Sequence, residues 1–195
     1  QRHHSFSSHK DKRRNSPYDG VMKSRLLTVI ALTFGILSPV QAAHNYIVGG
    51  ERPVTVNLPE NLASPAPLLI LLHSASTSGA HQENYMKLGP VAKKNGIIYI
   101  APDGMTNPEG KRFWNASKSC CNRYKEEVDD VAYINSLIDE ISAKTPVDPK
   151  RIYLIGHSNG AFMSLAFACS TGKVAGVVSL AGALDTDNPC ASSHP

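Results

Sequence analysis

Long apolar runs are missing from this sequence, which excludes a stable membrane anchor, because a membrane-spanning helix needs about 20 apolar residues. The longest run, at 26–37, is shorter than that, and it follows a short positive region at 22–25. Val40-Gln41-Ala42 then fits a small-x-small cleavage site. This order is typical of a secretory signal peptide. We therefore expect 22–43 to be a signal peptide and the protein to be secreted, to the extracellular space or the periplasm. A buried core helix at 26–37 is the alternative.

An initial methionine and hydrophobic periodicity are both missing from residues 1–21, which are polar and basic. Such a segment lacks the apolar residues that a core requires. We interpret it as a disordered or non-native leader ahead of Met22. The remaining residues, 44–195, are long enough for one domain with its own core but too short for two.

An excess of positive charge is also missing from the predicted mature part. The whole chain carries 20 Lys and Arg and 16 Asp and Glu, a formal net charge of +4. Seven of these bases and two of these acids precede His44, which leaves 13 bases and 14 acids, a net charge of −1, for the rest. Nucleic-acid binding needs a basic face on the folded domain. The charge of 44–195 supplies none, so we expect no nucleic-acid partner.

Cysteine is scarce and is confined to the second half of the chain. The four cysteines are Cys120, Cys121, Cys169 and Cys190. An even number in an exported chain favours disulfides, and four cysteines allow three connectivities. Adjacent cysteines lack the spacing of a zinc site, and no suitable histidine lies near them. We expect neither a metal nor a cofactor.

Strand-like and helix-like patterns alternate along 44–195. Continuous apolar runs, typical of strands buried on both faces, lie at 68–73, 97–102, 151–156 and 174–182, and an alternating strand lies at 52–59. Helical segments are predicted at 84–96, 128–144 and 158–169. This alternation predicts an α/β fold with a mostly parallel sheet covered by helices on both faces.

Two further segments carry polar residues that could be mistaken for a catalytic or binding site. Residues 103–124 form a long irregular stretch, which in a compact domain is either functional or held by a cross-link. Asp129 and Asp130 open the helix predicted at 128–144. Acids at this position cap the helix and complement its dipole, and we favour this role over that of a catalytic pair.

The strongest functional signal is Gly156-His157-Ser158-Asn159-Gly160, a G-x-S-x-G pentapeptide between a predicted strand and a predicted helix. In this context the serine lies on a tight turn that lifts its hydroxyl above the carboxyl end of the sheet, and the flanking glycines avoid clashes. The helix N-terminus favours negative charge there. We therefore predict that Ser158 is a catalytic nucleophile and not merely a turn residue.

A nucleophilic serine also needs two backbone N–H groups that bind the developing oxyanion, each worth roughly 3 kcal/mol. The residue after the nucleophile, Asn159, supplies one by position. The second comes from the loop after the strand at 68–73, and we predict that Ala75 is this donor. His73 is expected to shape the loop through hydrogen bonds and not to act as a base.

Several separated segments carry a family resemblance, among them PLLILLHSASTSG, RFWNASKSCC, VDDVAYINSLID and VDPKRIYLIGHSNGAFM. In this order they resemble the polyhydroxybutyrate depolymerase-like (LpqC-type) esterase family, related to feruloyl and acetylxylan esterases of the α/β-hydrolase fold. The resemblance spans 49–195 and implies secretion and hydrolysis of carboxylic esters by Ser158. It also implies that Trp114 lines the substrate site, a half-buried loop anchor being the alternative. Ser74 stands where such families usually have Gly, which affects the predicted oxyanion loop.

A suitable base is missing after Ser158. In this fold the acid and the histidine follow the nucleophile along the chain, and the candidates are Asp185, Asp187 and His194. Both groups belong on loops after further strands, and no strand is predicted after 174–182. We therefore expect a C-terminally truncated fragment that lacks the triad acid and histidine. Without its histidine the serine loses most of its rate.

The predicted element directions favour one disulfide pairing. Cys190, Cys120 and Cys121 all follow strands and so begin at the carboxyl edge of the sheet. The helix from Ser158 carries Cys169 about 16 Å away from that edge. We therefore expect a bond from Cys190 to Cys120 or Cys121, with Cys169 paired at the other edge or buried and free.

Two functions fit these observations. The first is a secreted serine esterase that forms an acyl-enzyme on an oligomeric or polymeric substrate, either polyhydroxyalkanoate-type polyesters or feruloyl and acetyl esters of polysaccharide. The second is a non-catalytic secreted binding protein on a degenerate hydrolase fold, which Ser74 and the missing base favour. The intact GHSNG favours the esterase, because a pure binder needs no exposed, strained serine.

Overall fold

Twelve elements of secondary structure form the described part of the protein, which is residues 44–184 and Cys190 of a computed structural model. The strands are β1 (Tyr46–Val48), β2 (Val54–Val56), β3 (Ala66–Leu72), β4 (Ile98–Ile100), β5 (Met105–Thr106), β6 (Arg112–Phe113), β7 (Val147–His157) and β8 (Gly176–Leu180). The helices are α1 (Gly79–Met86), α2 (Leu88–Lys94), α3 (Asp130–Lys144) and α4 (Asn159–Thr171). The predicted leader and signal peptide lie outside the described residues.

A four-stranded parallel sheet in the order β4-β3-β7-β8 organises the chain. The four central runs predicted from continuous apolar sequence are its four strands. The sheet is parallel because each strand is followed by a helix or a long crossover that returns the chain to the same edge. The prediction of an α/β fold with a parallel sheet is therefore confirmed. Two small antiparallel pairs, β1-β2 and β5-β6, lie outside this sheet.

The two faces of the sheet are covered differently. On one face Leu68, Ile70 and Leu72 of β3 join a large core that includes apolar residues of α3 and α4. On the other face Leu69 and Leu71 pack with residues of α1, α2 and β4. This second cover does not reach the far half of the sheet in the described part of the chain: Tyr153 is 37% exposed, Val178 49% and Leu180 40%.

The segment 84–96, predicted as one helix, is two helices separated at Lys87. Lys87 adopts a left-handed conformation with φ of 56°, ends α1 and precedes α2. The Glu83 carboxylate accepts the backbone N–H groups of Leu88 at 3.2 Å and Gly89 at 2.9 Å. A carboxylate that caps the first turn of a helix stabilises a new start, which explains the break. The helix also starts earlier than predicted, because the Ser78 hydroxyl accepts the His81 N–H and caps α1.

The acids at the start of α3 have the structural roles predicted for them. Asp129 is the N-cap and accepts the Ala132 N–H at 2.8 Å. Asp130 is buried, accepts the Asn115 N–H at 2.7 Å and pairs with Arg52 at 2.5 Å. Arg52 also lies over the ring of Tyr133, 3.4 Å from its centroid. The capping role predicted for these acids is confirmed for Asp129.

The disulfide pairing differs from the one predicted. Cys120 bonds to its neighbour Cys121, and Cys169 bonds to Cys190. The prediction was wrong because it assumed that Cys190 stays near the carboxyl edge of the sheet. Cys190 lies ten positions after the end of β8, and extended chain covers up to roughly 33 Å over that length. The chain is therefore long enough to reach Cys169, near the end of α4.

No helix between residues 44 and 184 combines the length and the apolar character that crossing a membrane would require. Within the same residues no cluster of His, Cys, Asp and Glu has an arrangement that could hold a metal ion.

The Asp130–Arg52 pair gives a test of what holds α3 in place. We expect Asp130→Asn to lower the free energy of unfolding by about 3 kcal/mol, because it leaves a mostly buried guanidinium without its counter-charge. Asp139→Asn on the same helix is the control, since Asp139 is 62% exposed, and it should change stability by less than about 0.5 kcal/mol. Urea unfolding of both variants measures the difference, and equal effects would contradict the role of the buried pair.

Candidate active site

Ser158 lies at the turn between β7 and α4, in a strained backbone conformation. Its φ is 52° and its ψ is −118°, a region that residues with a side chain rarely adopt and that costs on the order of 1–3 kcal/mol. The Ser158 N–H donates to the Leu180 carbonyl at 2.8 Å, and the Ser158 carbonyl accepts the N–H groups of Ala161 and Phe162 in α4. The turn is therefore held from both sides, as the G-x-S-x-G pattern predicts.

The two glycines of the motif are required by close backbone approach. A Cβ on Gly156 would lie 2.1 Å from the Gly160 carbonyl oxygen. A Cβ on Gly160 would lie 2.2 Å from the Leu72 oxygen and 2.6 Å from the His73 oxygen. Only glycine fits at both positions. The start of α4 is thereby brought against the end of β3, where the predicted oxyanion loop begins.

The backbone N–H groups of Ala75 and Asn159, like that of Gly160, have no acceptor among the described residues. The neighbours of Ala75 are occupied, since the Ser74 N–H donates to Gln82 Oε1 at 3.2 Å and the Ser76 N–H to the Arg112 carbonyl at 2.8 Å. Unsatisfied N–H groups of this kind are what an oxyanion site requires. Their roles stay predictions.

The serine at position 74 is accommodated within a closed loop. Its carbonyl accepts the Thr77 hydroxyl at 3.0 Å, and its own hydroxyl lies 3.4 Å from that hydroxyl oxygen. These bonds tie the first residue of the loop to the last. The departure from the usual glycine therefore coincides with a side-chain-stabilised loop, and the Ala75 N–H stays unoccupied.

His73 is buried and both of its ring nitrogens are used. Nδ1 donates to the Ser74 carbonyl at 2.7 Å, and Nε2 accepts the Gly104 N–H at 2.8 Å, which fixes the neutral tautomer. Burial lowers the pKa of His73 from its ordinary value, although the bond to Ser74 opposes this effect. A ring with no free nitrogen and no exposure cannot take a proton from Ser158. His73 has the loop-shaping role predicted for it.

Trp114 does not line an open substrate site. Its side chain is 0% exposed, and its indole N–H donates to the His73 carbonyl at 3.0 Å. The resemblance-based prediction of a substrate contact is therefore wrong for this side chain, because the indole lies beneath the loop and not at its surface. Trp114 is instead an anchor that holds the start of the predicted oxyanion loop through this bond, and it is more deeply buried than the half-buried alternative.

The side chain of Asn159 has a role that the sequence did not reveal. Its Oδ1 accepts the Trp114 N–H at 2.7 Å and its Nδ2 donates to the Trp114 carbonyl at 2.9 Å. All of these atoms are buried. This two-bond clamp joins the first residue of α4 to the loop after β6. Sequence analysis singled out Asn159 only for its backbone, because a partner 45 residues away gives no local signal.

A second missed residue is Asp103, directly after β4. Its Oδ1 accepts the N–H of Gly79, the first residue of α1, at 2.7 Å, and its Oδ2 pairs with Arg112 at 3.1 Å. Arg112 in turn accepts the Ser76 N–H through its carbonyl. Asp103 and Arg112 thus fix the end of the predicted oxyanion loop. The available signal was an acid at the carboxyl end of a buried strand.

No histidine among the described residues hydrogen-bonds Ser158. His157 points elsewhere and stacks on Tyr85, with ring centroids 6.3 Å apart. The other candidates for acid and base, Asp185, Asp187 and His194, lie outside the described residues. The site as described therefore holds the predicted nucleophile and two predicted oxyanion donors, together with the network that fixes them.

A sequence profile described as "Phospholipase/Carboxylesterase" matches residues 55–194. The chain belongs to this phospholipase/carboxylesterase family. The chain is 35% identical over 125 residues to Feruloyl esterase B of Piromyces equi, across 63% of this chain and 22% of that protein. It is 26% identical over 141 residues to Poly(3-hydroxyalkanoate) depolymerase C of Paucimonas lemoignei, across 68% of this chain and 32% of that one.

Solved structures give the fold of this family member. The acetyl xylan esterase from Aspergillus awamori superposes with a TM-score of 0.58 at 17% identity, over 77% of this chain and 58% of that one. The fold is that of the α/β-hydrolases, as predicted. The chain spans about a third or less of the length of the two curated relatives it matches.

The close approach around Gly160 gives the first test of the site in this phospholipase/carboxylesterase family member. Gly160→Ala should cost about 2 kcal/mol or more of unfolding free energy, because its Cβ meets backbone oxygens of β3 that cannot move aside. Gly176→Ala in β8 is the control, since its Cβ would meet only the Tyr153 ring, at 3.6 Å. Thermal unfolding compares the two, and a neutral Gly160→Ala would contradict the described packing.

The second test concerns His73. Because its pKa is lowered in the folded state, the neutral ring stabilises the fold fully above the unfolded value of 6.5, and this contribution is lost as the pH falls below it. We expect the wild type to lose more stability between pH 7 and pH 5 than His73→Gln does, although the variant is less stable at pH 7. His81→Gln, at an exposed position, should keep the wild-type slope. Parallel slopes for all three proteins would contradict this account.

Proposed function

We propose that this chain is part of a secreted carboxylic ester hydrolase of the polyhydroxybutyrate depolymerase-like (LpqC) type, with Ser158 as its nucleophile. The observation that carries the proposal is the strained Ser158 turn next to two unoccupied N–H groups, those of Ala75 and Asn159. Esterases are the class that this family represents, and two relatives are named as a feruloyl esterase and a poly(3-hydroxyalkanoate) depolymerase.

In the proposed reaction, Ser158 Oγ forms a bond to the ester carbonyl carbon as its proton passes to a histidine base. The negative charge that develops on the carbonyl oxygen is bound by the Ala75 and Asn159 N–H groups. The base then protonates the leaving alcohol, and an acyl-enzyme remains. Water, activated by the same base, cleaves the acyl-enzyme and restores the serine.

The acid and the base of this proposed triad lie outside the described residues. We propose that they follow β8 on later strand ends, beyond residue 195, and that residues 1–195 alone are inactive. The coding sequence past Pro195 tests this directly. Further apolar strands with an acid loop and a later histidine support it, whereas a stop codon at that point favours a degenerate binding protein.

Secretion and substrate class are parts of the same proposal. Two disulfides in the described residues fit an oxidising compartment. The substrates proposed are polyhydroxyalkanoate-type polyesters or oligomers, and feruloyl or acetyl esters of polysaccharide. These are the ester classes named for the relatives and for the acetyl xylan esterase that shares the fold.

Replacement of the nucleophile is the decisive test. In the complete gene product, Ser158→Ala should lower kcat for p-nitrophenyl butyrate by roughly 10⁶-fold, because the covalent step is lost while binding remains. Ser142→Ala on α3 is the control, since it is exposed and away from the turn, and it should leave kcat unchanged. Retention of wild-type turnover by Ser158→Ala would exclude the proposed mechanism. Ordinary turnover by wild-type residues 1–195 would place the base within them.

A further inference from the structure

A cavity of about 350 Å³ lies beside the predicted oxyanion loop. Ala75 and Ser76 form one wall, and the β5-β6 turn with the segment 118–124 forms the rest. We refer to it as the basic cavity, for the reason that follows. Ser158 is not among its lining residues.

Positive charge is concentrated in the lining of the basic cavity. Four bases line it, Lys111, Arg112, Lys118 and Arg123, against the one acid Glu109. The described residues as a whole carry 13 bases and 12 acids, so they are close to neutral. A nearly neutral domain that gathers a net charge of +3 in one concave surface has a local field that attracts anions.

Two of these four bases are already neutralised. Lys111 pairs with Glu109 at 2.8 Å, and Arg112 pairs with Asp103 at 3.1 Å. Hydrogen bonds from Lys111 and Tyr124 lower the pKa of Glu109, so its carboxylate is charged and engaged. Lys118 and Arg123 are exposed and have no ion pair with a described carboxylate, although Arg123 acts on Glu109 from a longer distance.

The basic cavity adjoins the place where the ester carbonyl would lie. Ala75, whose N–H is an unoccupied donor, is part of its wall. Cys120 is also part of its wall, and Cys120 Sγ lies 3.7 Å from Nδ2 in the side chain of Asn159, the residue whose backbone N–H is the second predicted donor. An ester carbonyl bound at the Ala75 N–H would therefore lie at the edge of the positive lining.

We propose that the basic cavity is a substrate subsite that binds a carboxylate, with Lys118 and Arg123 as the charged contacts. The inference rests on the proposed function, and it narrows the substrate class to esters that carry an anionic group near the scissile bond. Such a carboxylate has two chemical sources among the proposed substrates. One is the free acid end of a hydroxyalkanoate oligomer, and the other is a uronic acid of an esterified polysaccharide.

Binding measured without turnover tests the subsite independently of the reaction. The host is the complete gene product carrying Ser158→Ala, which leaves the probes intact. The probes for calorimetric titration are the linear 3-hydroxybutyrate trimer with a free carboxylate, its methyl ester, and glucuronate. We expect the free trimer to bind roughly tenfold more tightly than its methyl ester at low salt, because two cations at exposed sites each contribute a few-fold. The preference should decrease in 0.5 M salt.

Two double variants each remove two positive charges, one pair from the subsite and the other pair from the surface outside the cavity. Lys118→Gln with Arg123→Gln should abolish the preference for the free acid, whereas Lys94→Gln with Lys150→Gln, at exposed positions outside the cavity, should keep it. Thermal unfolding verifies that each variant is folded. If only glucuronate or only the trimer binds, the subsite is supported and the source of its carboxylate is identified. If both bind, the result supports recognition of the carboxylate itself. Equal binding of acid and methyl ester, or equal loss in both double variants, would overturn the proposal.

If the subsite exists but Ser158→Ala retains turnover, the proposed reaction fails while this inference stands. If Ser158→Ala abolishes turnover but no acid preference is found, only the subsite fails. Hydrolysis rates of mono-p-nitrophenyl glutarate and p-nitrophenyl butyrate extend the test to catalysis. The subsite should raise kcat/KM for the charged ester about tenfold relative to the double variant at low salt.

Discussion

The approach of α4 to the end of β3 controls the geometry around Ser158. Gly160 lies so close to the Leu72 and His73 carbonyls that no side chain fits between them. This contact fixes the distance between the serine turn and the loop that begins at His73. It also places the Asn159 amide where it clamps Trp114, and the Trp114 indole where it holds the His73 carbonyl. A chain of buried hydrogen bonds thus runs from Asn159 through Trp114 to His73, beside the steric contact at Gly160.

The hydrogen bonds among Asn159, Trp114 and His73 hold the site rigid and pair its buried polar groups. Every polar group in these bonds is buried and paired, as stability in a low-dielectric interior requires. The N–H groups of Ala75 and Asn159 lie outside this set of bonds and lack an acceptor among the described residues. Donors held by such a framework need little reorganisation when negative charge appears nearby, which is the condition for electrostatic stabilisation. The hydrogen-bonded framework therefore holds the two N–H donors in fixed positions.

The sequence predicted the features that local pattern encodes. The buried strands followed from continuous apolar runs, and the turn at Ser158 followed from two glycines between a strand and a helix. The break at Lys87 was missed because the Glu83 capping that causes it has no periodicity. Trp114 was misplaced and the Asn159 clamp was missed because both depend on partners more than 40 residues away. The Cys169–Cys190 bond was missed because the course of the connecting chain is not a local property.

The Ser158 N–H is bonded to the Leu180 carbonyl, at the end of β8. Among the described strands β8 pairs on one side only, and its outer apolar residues are half exposed. The backbone that carries the serine is therefore fastened to β8 by this bond. A substitution that shifts β8 would change the direction of the serine hydroxyl without contacting it.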